Sequence, residues 1–146
     1  VTIRNCLFRA CTNGVFLGQM GVGPSTVVFI DKCWFRHCSD VALKAVGTNN
    51  KCGYQPCSII DTIFEYNNQA CDIEGSETYP TLINFARCYF EGNTNSGTIL
   101  NASVFADIQN FFAPNGNGIN VTPAEYNKVN ISNLFDTYGF TILTAD

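Results

Sequence analysis

Six residues of this chain stand directly after a phenylalanine at near-regular intervals: Arg9, Arg36, Glu65, Glu91, Ala113 and Asp136. If each interval is one turn of a repeating structure, side chains at equivalent places stack, and Glu65 and Glu91 become neighbouring carboxylates roughly 5 Å apart. Two carboxylates at that spacing repel, so at least one holds its proton more tightly; a sheltered pair can then divide acid and base roles. The spacing is near that of retaining glycoside hydrolases, whereas Glu91 and Asp136, two turns and roughly 10 Å apart, are slightly long for the inverting arrangement. Glu65, Glu91 and Asp136 are therefore the candidate catalytic residues. The competing reading is a solvated ladder of charge, partly neutralised by Arg36. Asp31, Asp61, Asp72 and Glu74 also fall on or beside apolar runs and have no better claim.

Other chemistries fit less well. His37 is the only histidine and no Gly-x-Ser-x-Gly elbow accompanies it, so a Ser/His/Asp centre has no basis. The stretch from Gly18 to Ser25 is glycine-rich but lacks the lysine of a phosphate loop. Acidic residues are scattered and do not cluster with basic ones, as metal-assisted elimination would need, and no metal or cofactor is expected. Five of the eight cysteines stand at fixed places relative to the repeat. Cys6, Cys33 and Cys88 stand two residues before a phenylalanine, with Thr62 at that place in between, and Cys11 and Cys38 stand three after one. Stacked in this way they read as small interior hydrophobes with free thiols. Cys52 and Cys57 flank a Gly/Pro turn and could close a small loop, and their redox state stays open.

The elements that position these residues recur. The anchors Phe8, Phe35, Phe64, Phe90, Phe112 and Phe135 are separated by 27, 29, 26, 22 and 23 residues. Before each lies a short apolar alternation: Val1/Ile3, Val28/Ile30, Cys57/Ile59, Ile83/Phe85, Ala106/Ile108 and Val129/Ile131. After each comes another, at Val15/Leu17, Val41/Leu43, Cys71/Ile73, near Ile99, and at Ile119/Val121 and Phe140/Ile142. Period two over a few residues indicates strands, and a unit of this length with several strands and no helical period is one coil of a parallel β-helix. The run Val1-Thr-Ile-Arg-Asn-Cys-Leu-Phe8, with Cys11-Thr-Asn-Gly-Val-Phe-Leu17 after it, resembles the repeat of the right-handed parallel β-helix proteins. That pectate-lyase-like group includes bacteriophage tailspikes. The expected fold is all-β, a right-handed parallel β-helix solenoid of about six coils of 22–29 residues, forming one domain over residues 1–146. The scaffold carries lyases, hydrolases, epimerases and inert shafts, so the resemblance alone selects no chemistry.

Only 14% of residues are charged and the formal net charge is −4. With no Lys/Arg cluster, a nucleic-acid partner is not expected. No apolar run approaches transmembrane length, and with the repeat already present at the first residue no signal peptide is expected within these residues. Neither end carries the polar cap a solenoid needs, so the chain is expected to be part of a longer one or to have its ends covered in an oligomer.

A second column bears on assembly. The residue before each anchor points outward if the anchor points in, and that column is Leu7, Trp34, Ile63, Tyr89, Phe111 and Leu134. An apolar stripe of this length marks a contact surface. The favoured reading is an oligomer interface, and the resemblance to tailspikes implies a homotrimer; a covering segment and a sugar-stacking platform are the alternatives. Tyr54 and Tyr79 fall in the two longest polar corners and, with Arg36, are the candidate substrate-binding residues. The functional expectation is a phage tailspike or fibre β-helix, located in the virion tail, that binds a bacterial surface polysaccharide. Depolymerisation by glycoside hydrolysis remains open. The alternatives are a non-catalytic structural shaft and a monomeric, extracellular pectate-lyase-like enzyme.

Overall fold

The computed structural model describes residues 1–17, 28–45, 56–74, 81–100, 102–108, 111–112, 119–122, 129–131 and 140–142, and past Gly97 it describes backbone only. Strands are numbered in chain order. The first sheet holds β1 (Thr2–Arg4), β4 (Val28–Asp31), β7 (Pro56–Ile60), β10 (Thr81–Ala86), β13 (Ala102–Ile108) and β16 (Val129–Ile131). The second holds β2 (Leu7–Arg9), β5 (Trp34–Arg36), β8 (Ile63–Glu65), β11 (Tyr89–Glu91) and β14 (Phe111–Phe112). The third holds β3 (Val15–Phe16), β6 (Val41–Ala45), β9 (Gln69–Glu74), β12 (Asn95–Leu100), β15 (Ile119–Thr122) and β17 (Phe140–Ile142). All pairings are parallel, and through β16 the chain visits the three sheets in fixed order. The architecture is all-β and parallel-stranded, consistent with a right-handed β-helix solenoid.

The anchor phenylalanines line the axis. Phe8, Phe35, Phe64 and Phe90 stack with centroids 4.8, 5.0 and 4.9 Å apart and rings within 8° of parallel. The rung of a parallel sheet sets that distance, so in-register residues hand each ring to the next. Phe35, Phe64 and Phe90 are fully buried, a contribution of about 1.5–3 kcal/mol each from area alone. Ile3, Ile30, Ile59 and Phe85 form the equivalent column of the first sheet, and Leu43, Cys71, Gly97 and Ile119 are register partners in the third.

The interior thiol column departs from expectation at one end. Cys33 and Cys88 are buried, with Thr62 between them, but Cys6 is exposed. Ile3 and Phe8 of the same coil are also no more than half-buried. Stacking position alone does not bury a side chain; a coil above and a coil below do.

Corners between sheets are sharper than the sequence suggested. Asn5, Lys32, Asp61 and Arg87 turn the chain from the first sheet to the second with φ of 54°, 52°, 48° and 52°. Ala10, His37, Tyr66 and Gly92 turn it out of the second sheet with φ of 54°, 56°, 52° and 60°. Left-handed backbone disfavours side chains with a Cβ, yet only one of the eight is glycine. The cost is offset because the inter-coil ladder runs through the bends, as in Lys32 N–H to Ile60 O (3.1 Å) and Tyr66 N–H to Glu91 O (2.9 Å). Beyond the second corner, buried Asn67 and Asn93 extend the ladder with their side chains. Asn67 Oδ1 accepts from Cys38 N–H (3.0 Å), and Asn93 Oδ1 accepts from Asn67 N–H (3.0 Å) and Nδ2 (2.9 Å). Their amides donate to Phe35 O (3.1 Å) and Phe64 O (2.9 Å), and their oxygens satisfy the Cys38 and Asn67 N–H groups that the bend would otherwise strand.

Two register assignments differ from the pattern-based ones. In the third sheet Leu43, not Val41, pairs with both Val15 and Cys71, because the second coil holds an extra residue between Cys38 and Val41. In the first sheet Val104, not Ala106, is the partner of Ile83 and Val129, with a bulge in the β10–β13 pairing between Asn84 and Ala86. The slip in the third sheet is by two residues, which keeps Leu43 on its expected face. Among the described residues no helix is long and apolar enough to cross a membrane.

Candidate functional site

With the anchors inward, the residues on either side of each must face out. The outer face of the second sheet therefore carries two columns two residues apart along the strands. Leu7, Trp34, Ile63 and Tyr89 are successive partners in one, and Arg9, Arg36, Glu65 and Glu91 in the other. Leu7 is 58% and Trp34 37% exposed, while Ile63 and Tyr89 are half-buried. The left-handed corner adds a third column at its edge, Ala10, His37, Tyr66 and Gly92.

These columns are knitted across coils. Trp34 Nε1 donates to Glu65 Oε2 at 2.8 Å, and Arg36 Nη2 lies 3.9 Å from Glu65 Oε1. The Arg36 guanidinium carbon sits 5.5 Å from the Trp34 ring centroid and 5.8 Å from that of Tyr66, within cation–π range of both. His37 stacks on Tyr66, centroids 5.7 Å apart and 15° from parallel. Tyr66 is 43% exposed and lies over Gly92, where a Cβ would strike its ring. One coil on, Tyr89 Oη donates to Glu91 Oε2 at 3.0 Å. Burial, with the Glu91 bond second, raises the Tyr89 pKa, so the phenol stays a donor. The Nε of Arg36 is buried and lacks a hydrogen-bond partner.

The result is a shallow strip with two exposed rings and two carboxylates on adjacent strands, each fixed by an aromatic donor, around a guanidinium held between rings. Apolar ring faces suit the C–H faces of a sugar, and oriented carboxylates and guanidinium suit its hydroxyls. The structure brings Glu65, Glu91, Arg36, Trp34, Ile63 and Tyr89 together and puts Leu7 at the end of the same face. Phe111 lies on β14 opposite Tyr89. Asp136, Leu134, Tyr54, Tyr79 and Cys52 lie outside the described residues. Sequence reasoning passes over Tyr66 and gives His37 no role beyond excluding a Ser/His/Asp centre. The signal was available two places after each anchor, where His37 and Tyr66 fall in successive coils.

Among the described residues, no group of three or more His, Cys, Asp and Glu is gathered to hold a metal ion. Comparison of the chain with protein-family models, with curated proteins and with solved structures returns no match.

Proposed function

We propose that the chain is a right-handed β-helix of six coils, of the phage tailspike or fibre kind, whose second-sheet face binds a bacterial surface polysaccharide. The observation that carries this reading is the cluster of Trp34, Arg36, Glu65 and Tyr66, joined by the 2.8 Å Trp34–Glu65 bond. An exposed indole oriented by a carboxylate is a pre-set stacking platform, which lowers the ordering cost of binding an extended chain. Glu65 and Glu91 are register partners, and a rung of roughly 4.8 Å puts them in the range where a retaining mechanism operates. Cleavage is thus the chemical extension of binding, with one carboxylate attacking the anomeric carbon and the other protonating the leaving oxygen. Trp34 is the sole tryptophan, so its fluorescence tests binding directly. Titration with capsule or lipopolysaccharide oligosaccharides should shield it from acrylamide, and reducing ends should accumulate if cleavage follows. Unchanged quenching across both glycan classes would refute the reading.

A second reading assigns the face to assembly, as a homotrimer. It is favoured by Leu7, which is 58% exposed in line with Trp34, and by the continuity of the apolar column along four described coils. Its test is sedimentation of the parent chain beside Trp34→Asp: an oligomer that dissociates in the variant supports assembly, and a monomeric parent removes it.

A further inference from the structure

Arg36 stands in the middle of the second-sheet face with its charge incompletely compensated. The Trp34 and Tyr66 rings hold its guanidinium through their π-clouds at 5.5 and 5.8 Å, and neither ring gives it a hydrogen-bond acceptor. Its carboxylate partner, Glu65, lies 3.9 Å from Nη2, beyond hydrogen-bond reach. The other Glu65 oxygen accepts from Trp34 Nε1 at 2.8 Å. Arg36 Nε is buried without a partner, so among the described residues the guanidinium makes no hydrogen bond.

Its other neighbours add no carboxylate. The register partner in the preceding coil is Arg9, the next residue in the chain is His37, and acidic residues enter the column only at Glu65 and Glu91. The column is therefore polarised along the solenoid axis, with two guanidinium groups followed by two carboxylates. The Arg36 side chain is 34% exposed, so a ligand resting on the Trp34 ring can reach its outer end. Donors of a charged group that lack an acceptor in a half-buried place cost free energy, and a ligand oxyanion recovers it on binding.

Resting on the glycan-binding reading of this face, we infer that Arg36 is its specificity residue: it pairs with an oxyanion substituent, carboxylate or phosphate, of a sugar stacked on Trp34 or Tyr66, and so selects acidic glycans over neutral ones. A guanidinium presents its N–H groups as a planar fork that gives such a group two parallel, charge-assisted bonds. The direction of the ligand follows from the polarised column. The anionic substituent lies over Arg36 in the second coil, and hydroxyls lie over Glu65 and Glu91, where a second anion would meet like charge.

The test compares acidic capsule oligosaccharides with their carboxyl-reduced forms, and phosphorylated lipopolysaccharide oligosaccharides with their dephosphorylated forms. Each is titrated by calorimetry, with acrylamide quenching of Trp34 followed in parallel. In one pair or both, the charged member should bind about tenfold tighter at low salt, and the gap should narrow as ionic strength rises. The pair that shows it identifies carboxylate or phosphate as the group read. Arg36→Gln should shrink the gap to about twofold, and Arg36→Lys should restore it in part, since an ammonium keeps the charge without the fork. Circular dichroism checks that both variants keep β structure, and the wild-type comparison decides the matter if either does not fold. Trp34 shielded equally by charged and neutral members, or a gap that persists in folded Arg36→Gln, overturns the role of Arg36 and leaves the glycan reading standing. Trp34 shielded by none of the ligands overturns the glycan reading, and this inference with it.

Discussion

Trp34 Nε1 and Glu65 Oε2 are joined at 2.8 Å although 31 residues separate them. The bond spans one rung of the second sheet on its outer face. It sets the plane of the indole and, with Arg36 on the other oxygen, the orientation of the carboxylate. Trp34→Ala should therefore weaken glycan binding by about 1 kcal/mol, roughly fivefold, with little change in fold. Trp34→Phe should recover most of it, because stacking survives and only the donor is lost. Isothermal calorimetry on the two variants checks the order.

If Glu65 and Glu91 perform the cleavage, Glu65→Gln and Glu91→Gln should each abolish release of reducing ends while glycan still shields Trp34 from acrylamide. Both substitutions are isosteric, and relief of like-charge crowding should leave stability unchanged or slightly higher. An active double variant would take both residues out of the chemistry and leave a binding face.

Asn67→Ala should destabilise the chain by about 1–3 kcal/mol, since it strands Cys38 N–H in the interior at about that cost for a buried unsatisfied group. That is below the roughly 3–5 kcal/mol expected for Phe64→Ala. Denaturant titration followed by far-ultraviolet circular dichroism compares the two.

Native thiol labelling should be graded by burial. Cys6 should react quickly with a maleimide, and Cys33, Cys38 and Cys88 only on unfolding. Burial pushes the Cys88 thiol up to about 12, so almost none of it is thiolate at neutral pH. Rapid native labelling of Cys88 would contradict the interior column.

Acid should remove a small increment of stability at the first corner. Arg87 Nε and Nη2 donate to the two Asp61 oxygens at 2.6 and 3.0 Å, and that pairing lowers the Asp61 pKa. A lowered folded value means stability fully present above the unfolded carboxylate range near pH 4 and lost as pH falls through the folded value. The pair is exposed, so solvent screening keeps the increment small. Asp61→Asn should abolish that part of the acid dependence in thermal melts across pH 2 to 6.

Period-two alternation and the phenylalanine interval carried the strands, the parallel stacking and the in/out sense of each described side chain, because side-chain direction in a strand depends only on local parity. Hence Phe35, Phe64 and Phe90 sit inside, and Trp34, Glu65 and Glu91 share one outer face. Parity says nothing about register: Val15 with Leu43, or Ile83 with Val104, required the bulges between coils to be known. Nor does it give corner geometry. His37 and Tyr66 take left-handed backbone only because neighbouring coils hold their amides, and that turn is what stacks His37 on Tyr66 and sets Tyr66 against Arg36. Burial was likewise decided by coil neighbours. Thr62 and Cys33 occupy equivalent positions in the repeat and both are enclosed, although one is polar and the other is not, since enclosure comes from what packs around a position and residue type alone does not encode it.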